Sequence, residues 1–266
     1  LAKDVGEKRE CKYSIENVII QPGGKPTIWK FLATVMNQGD EVLYPNPGYP
    51  IYESQVYYQG GIPVPYKYIQ TKNGFDIDID SLTKSISDKT KVLIINNYQN
   101  PLSASSSVEE LKSLAKIAIK HNLWVLSDDA YFEIRYSEKD PKSIVNLPGM
   151  RKRTVILYTF SKKFAMTGWR IGASIGPAQV IKHMARFNVN DESCTNHFIQ
   201  HALASMFNEK VDYGKAILDT LTRRRDLCLE KLNSIDGINV PTPNSTFYLF
   251  PNVTEIMHRK GYKNLE

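Results

Sequence analysis

Val92-Leu93-Ile94-Ile95 is an apolar run with no polar residue at alternate positions, and it ends in Asn96. A strand with one wet face alternates apolar and polar residues. An unbroken run is instead the pattern of a strand covered on both faces, as in a parallel sheet packed between helices. Trp124-Val125-Leu126 and Val155-Ile156-Leu157 repeat the pattern. Between the first two runs, Val108, Leu111, Leu114, Ala115, Ile117 and Ala118 form an apolar stripe that predicts a helix over 108–121. The fold expected is α/β: a mixed, mostly parallel sheet sandwiched by helices. Ligands of such sheets gather at the carboxyl ends of the strands, so the residues just past each run are the ones to read for chemistry.

The third run leads into Tyr158-Thr159-Phe160-Ser161-Lys162-Lys163-Phe164-Ala165-Met166-Thr167-Gly168-Trp169-Arg170-Ile171-Gly172. A lysine just past a strand, with an arginine one loop away, puts an amine beside an anion site. A desolvated lysine can lose its proton near neutral pH and attack a carbonyl to form a Schiff base. The guanidinium fork matches phosphate oxygens in pairs. An arbitrary Lys-Lys pair is only a solvated loop. Here, however, Ser161-Lys162 followed by Ala165 through Gly172 resembles the lysine signature of the class I/II aminotransferases, the fold type I pyridoxal phosphate enzymes. The resemblance implies that the Schiff-base lysine stands eight positions before the phosphate-binding arginine. That register pairs Lys162 with Arg170 and makes Lys163 the neighbour.

The same resemblance gives roles to residues whose own signals are weaker. Asn17-Val18-Ile19-Ile20 reads as a strand, and Pro22-Gly23-Gly24-Lys25-Pro26 as a turn opening a helix that ends near Met36. A small-residue turn at a helix N-terminus suits a phosphate, and the resemblance implies that role for Gly23, Gly24 and Lys25, with Thr159 and Arg170. Glu41 to Tyr44 reads as another strand, and Tyr49, between Gly48 and Pro50, precedes a helix ending near Gln59. Taken alone Tyr49 is a core aromatic; the family places a ring here that stacks on the cofactor's pyridine. Asn100-Pro101 matches the family's Asn-Pro pair, whose asparagine bonds the cofactor's ring oxygen, but Leu102-Ser103 replaces the usual Thr-Gly. A carboxylate at a buried strand end needs a cation. The Asp-x-x-Tyr spacing of Asp128 and Tyr131 matches that of the family, and the resemblance implies that Asp128 meets the protonated pyridine nitrogen and Tyr131 the ring oxygen.

The remaining chain reads as a strand over 62–66, a short helix over 80–86 capped by Asp78 or Asp80, and a strand over 173–175 antiparallel to 155–159. Helices are expected over 178–185, 194–206 and 209–235, then strands over 237–240 and 246–250 of a smaller α+β domain. The division expected is 1–205 for the cofactor-binding domain and 206–266 for the long helix and part of the small domain. Cys194, His197 and His201 would share a helix face, but no further Cys or His cluster completes a metal site.

Net charge is +6 over 266 residues, and the one basic block, Arg223-Arg224-Arg225, falls on a helix as a solvated face. Nothing in the charge pattern calls for a nucleic acid. No apolar run approaches a membrane span. Three widely spaced cysteines suit a reducing, cytoplasmic setting. Residues 1–12 read as the end of a helix, and the family is longer at both ends, so the sequence has the form of a fragment. The parts expected outside it are an N-terminal arm, a segment reaching a partner subunit, and the arginine that binds the substrate carboxylate. The resemblance implies a homodimeric, pyridoxal phosphate-dependent aminotransferase moving an amino group between an amino acid and a 2-oxo acid. The rival readings are β-elimination or decarboxylation on the same fold, and a non-catalytic module that keeps it.

Overall fold

The computed structural model describes residues 1–72, 74–136, 143–209 and 211–263. Its centre is an eight-stranded sheet in the order β1 (Val18–Gln21), β8 (Gly172–Ile175), β7 (Thr154–Thr159), β6 (Trp124–Asp128), β5 (Thr90–Asn96), β2 (Glu41–Asn46), β3 (Ile62–Thr71) and β4 (Gly74–Ile77). The five central strands β7, β6, β5, β2 and β3 pair in parallel. β8 runs antiparallel to both β7 and β1, and β4 antiparallel to β3.

Side-chain alternation explains the unbroken apolar runs. Val92 and Ile94 of β5, Leu126 of β6, and Val155 and Leu157 of β7 pack on one face, in a core with Ile28, Phe31 and Leu32 of α2 (Lys25–Val35) and Val180, Ile181 and Met184 of α6 (Ala178–Asp191). Leu93, Ile95, Val125 and Ile156 point to the opposite face. There they meet Leu111, Leu114 and Ala118 of α5 (Val108–Lys120). Both faces are dry, so neither set of positions can be polar. Ser107 caps α5 by accepting the Glu110 N–H at 3.1 Å, and Asp78, not Asp80, caps α4 (Ile79–Lys84) at Ser81 N–H, 2.9 Å.

Parallel registers place Asn96 beside Asp128 and Asp128 beside Leu157. Three strands therefore release their chains at one level, and the loops after them converge.

Several expectations need correction. β3 continues to Thr71 and folds back on β4, a hairpin the short 62–66 run did not suggest. α6 extends to Asp191 because Asn188 is buried and its amide donates to Ile20 O at 3.1 Å; a polar stretch that looks like a loop is held helical by tertiary contact. α7 (His197–Asn208) begins after Cys194, so the three candidate metal ligands do not share one helix. The long helix α8 spans Lys215–Asn233, shorter than 209–235. No strand ladder forms over 237–240 or 246–250 among the described residues. Single bridges join Asn239 to Asn252 and Arg135 to Ser245. The segment around Ser245 and Thr246, both fully buried, instead packs against the strand ends, with Thr246 N–H donating to Ile134 O at 2.9 Å.

Candidate active site

The loop after β7 is held at both ends, because Phe160 and Ile171 are buried in the core and Phe160 N–H donates to Ile171 O. Lys162 and Lys163 leave this loop in different directions. Lys163 Nζ pairs with Glu133, which also takes Lys8 Nζ at 2.8 Å. Burial disfavours the charged carboxylate, but the two lysines more than offset it and hold the Glu133 carboxyl below its usual range. Lys162 lines a cavity of about 510 Å³ and makes no ion pair among the described residues. Its ammonium lies 5.7 Å from the Tyr131 ring centre and 5.6 Å from that of Phe247. Burial lowers its pKa, the Arg170 charge lowers it further, and only Asp128 opposes them.

The two aspartates at the end of β6 are divided in the same way. Asp129 is neutralised: Arg9, itself fully buried, donates Nε at 2.9 Å and lies with Nη2 2.7 Å from Oδ2, while Ser127 Oγ donates to Oδ1 at 2.6 Å. Asp128 faces the cavity, with no lysine or arginine at ion-pair distance among the described residues. Tyr52 hydroxyl donates to its Oδ2 at 2.6 Å and Ala130 N–H to its Oδ1 at 3.1 Å. Burial still wins over these donors and pushes the Asp128 carboxyl up to about 6.

Beside the lysine loop, α2 points its N-terminus at the cavity, which Gly24 and Lys25 line. Gly23 does not line it, contrary to its expected direct role. With φ of 99°, it lies against Arg170, whose Nη2 would sit 2.3 Å from any Cβ added there. Its lack of a side chain makes room for the guanidinium, which donates to Thr167 O at 2.6 Å and reaches Pro22 O at 3.4 Å. Arg170 lines the cavity, as does Thr159, whose Oγ1 accepts the Ser161 N–H at 3.2 Å. Cationic side chains and a helix N-terminus thus line one cavity, an arrangement that suits an anion.

Tyr49, Asn100 and Tyr131 complete the predicted set at the cavity wall. Asn100 N–H donates to Asn96 Oδ1 at 2.8 Å, and Asn96 Nδ2 donates to Asp128 O at 3.0 Å, so the loop is tied to the strand carrying the aspartate. Tyr49 packs edge-on against Tyr52, centroids 5.7 Å apart. Among the wall residues not anticipated are two tyrosines. Tyr52 follows Tyr49 by one short turn and a buried phenol beside an acid was there to be suspected. Tyr248, whose hydroxyl lies 2.7 Å from that of Tyr131, is 117 residues away in an irregular segment that carries no periodic signal.

Residues 1–261 match the family of class I and II aminotransferases. The chain belongs to that family. It is 34% identical over 265 residues to an aspartate aminotransferase of Sulfolobus acidocaldarius, covering 98% of this chain and 65% of the relative. It is also 34% identical over 240 residues to aromatic-amino-acid aminotransferase 2 of Thermococcus litoralis, covering 90% and 61%. The crystal structure of an aromatic aminotransferase from Pyrococcus horikoshii superposes with a TM-score of 0.89 at 31% identity, over 94% of this chain and 67% of that one. The chain thus spans about two thirds of the length of these relatives.

Enzymes of this family depend on pyridoxal 5'-phosphate, and the cavity fits that group on two counts. A buried carboxylate without a cation, at Asp128, is a costly arrangement unless a positive group comes to meet it. An unpaired, partly desolvated amine stands across the same cavity from it, with a cationic helix end beside both.

Proposed function

We propose that the whole protein is a pyridoxal phosphate-dependent aminotransferase that moves an amino group between an amino acid and a 2-oxo acid. The observation that carries the reading is the separation of the two neighbouring lysines: Lys163 is neutralised by Glu133, and Lys162 stands free in the cavity with Asp128. When bound, the cofactor supplies an aldehyde that takes up amino groups and a pyridine ring that accepts the electron pair left when the substrate Cα–H breaks.

In this reading Lys162 would hold the cofactor covalently through Nζ, and the same amine would accept and return the substrate proton. Its lowered pKa enlarges the neutral fraction that can do either. Asp128 provides a fixed negative charge for the ring nitrogen, and Tyr52 and Ala130 N–H keep one donor on each of its oxygens so that the carboxylate cannot turn. Arg170, Thr159, Lys25 and the N–H groups at Gly24 bind the phosphate, and Gly23 gives Arg170 its place. Asn100 and Tyr131 serve the ring oxygen, and Tyr49 covers a ring face.

We extend the reading to a homodimer with a cofactor-binding domain over 1–205 and a smaller domain begun by 206–266. A cytoplasmic setting fits three free cysteines, two of them exposed, and no described helix is long and apolar enough to cross a membrane. The test is an assay of the full-length protein for amino transfer that requires a 2-oxo acid. Ammonia release from an amino acid with no need for the oxo acid would replace transamination with elimination chemistry.

A further inference from the structure

Ser103 and Thr246 both have left-handed backbones, with φ of 56° and 59°. That region is uncommon for serine and unfavourable for a β-branched threonine, and glycine adopts it freely. At position 103 the resembled family carries a glycine. Here a hydroxyl residue accepts the strained backbone, and its side chain shows why.

Ser103 Oγ lies 2.6 Å from Thr246 Oγ1 and 2.9 Å from Tyr248 O, and Tyr248 N–H points at Thr246 Oγ1 at 3.2 Å. Each hydroxyl has one proton, and a carbonyl has none. Ser103 must therefore donate to Tyr248 O, and Thr246 to Ser103 Oγ. A lone pair of Thr246 Oγ1 takes the Tyr248 N–H. The three bonds close into a ring in which every donor is used and every oxygen accepts once, and linked bonds of this kind strengthen one another. The ring is dry, with Ser103 7% and Thr246 0% exposed. Ser103 N–H also donates to Gln99 O at 2.9 Å, which ties the ring to the loop that carries Asn100.

The residue held by this ring lines the cavity, and its hydroxyl touches that of Tyr131 at 2.7 Å. We propose that Ser103 and Thr246 are positioning residues for Tyr131, acting by locking Tyr248 against it from the far end of the chain. The inference rests on the reading of Tyr131 as a cofactor-facing residue. Either phenol can donate in that contact; when Tyr131 gives its one proton to a bound ligand, Tyr248 is left to donate to Tyr131. A phenol that accepts a hydrogen bond donates a stronger one, so in that state Tyr248 sharpens Tyr131 as a donor to negative charge on the ligand. Without that contact the ligand should hold its own proton more tightly.

Ser103→Gly tests this cleanly, because glycine is at least as comfortable at that backbone and the fold is kept. Two quantities are measured on the full-length protein: hydrogen exchange at the Tyr248 amide without cofactor, and the pH midpoint of the visible absorbance of bound pyridoxal 5'-phosphate. Ser103→Gly and Thr246→Val should speed the exchange roughly fivefold to tenfold, as expected for loss of one hydrogen bond. Both should raise the midpoint by about half a unit, or about threefold in the proton equilibrium, and Tyr248→Phe should raise it equally. Thr246→Ser, which keeps the hydroxyl, should retain both original values. Unchanged exchange in Ser103→Gly would show that the ring does not hold Tyr248. Faster exchange with an unmoved midpoint would reduce the ring to a structural clasp and overturn the positioning role. If the unaltered protein bound no pyridoxal phosphate, the functional reading would fail, while the exchange result would still decide whether the ring exists.

Discussion

The floor and the roof of the cavity are built by opposite means. Asn100, Asp128 and Lys162 stand just past or at the ends of β5, β6 and β7, three adjacent parallel strands whose register is fixed by two dry faces. Tyr248 of the cavity wall and its neighbour Phe247, whose ring centre lies 5.6 Å from Lys162 Nζ, come from a segment with no ladder of its own, held to the rest by side-chain hydroxyls and aromatic edges, with the Tyr131 centroid 5.6 and 5.2 Å away. A strand end is positioned by the whole sheet, so a side chain there needs little local help. An irregular segment must be fastened contact by contact, and each contact can be removed alone. Substitutions in the floor should therefore abolish chemistry with small effects on fold, and substitutions in the roof should loosen and retune it.

The largest effect expected is at Asp128. In the proposed function Asp128→Asn removes the charge that would keep a proton on the pyridine nitrogen, and a change of two units or more in that ring pKa corresponds to roughly a hundredfold to a thousandfold slower half-reaction by stopped-flow absorbance. Near-normal turnover would remove the electron-sink role. The same substitution has a second signature in the protein without cofactor. Its carboxyl is pushed up from 3.8 to about 6, so the folded state binds this proton more tightly than the unfolded chain. Stability from this group is full below pH 4, falls as pH rises towards 6, and stays lost above it. Asp128→Asn should thus raise the unfolding free energy at pH 8, by on the order of 3 kcal/mol at most, and change it little at pH 4. A pH-independent gain would mean that burial of the charge is not the cause.

Gly23→Ala should come next. A methyl at this position meets the Arg170 guanidinium and a backbone that disfavours side chains. Displacing one charge-assisted contact to the phosphate should weaken pyridoxal phosphate binding roughly tenfold to a hundredfold by equilibrium titration. An unchanged affinity would show that Arg170 does not hold the phosphate. In the roof, Phe247→Leu should lower turnover less than about tenfold, since it removes an aromatic edge and no charge. A loss as large as that at Asp128 would erase the distinction between the two regions. The smallest effect expected is at Lys163→Met: stability falls by about 1 kcal/mol through the lost half-buried pair with Glu133, and transamination stays within about twofold.

The same division decides what could be read in advance. The floor was legible because unbroken apolar runs announce two-sided burial, and polar residues just beyond them can only be at a sheet's ligand-binding edge. The lysine motif then set the register that separates Lys162 from Lys163, and the structure supplies a physical counterpart in Glu133. What escaped was whatever tertiary contact decides. Asn188 keeps α6 helical by bonding Ile20 O, and nothing in its neighbours foretells that. Residues 246–250 look like a strand by composition. Their backbone groups bond Ile134 O and three hydroxyls, those of Ser103, Tyr136 and Thr246, instead of a neighbouring strand. Gly23 reads as a phosphate ligand in the sequence, and in the structure it stands behind the cavity wall, where its missing side chain leaves room for the Arg170 guanidinium.

The reading depends most on the identity of the lysine that carries the cofactor, and borohydride reduction of the full-length protein loaded with pyridoxal 5'-phosphate measures it directly. Reduction fixes the bond between lysine and cofactor, and peptide mapping by mass spectrometry locates it. The adduct should map to Lys162, vanish in Lys162→Ala and persist in Lys163→Ala. An adduct on Lys163 would contradict both the register from Arg170 and the pairing of Lys163 with Glu133.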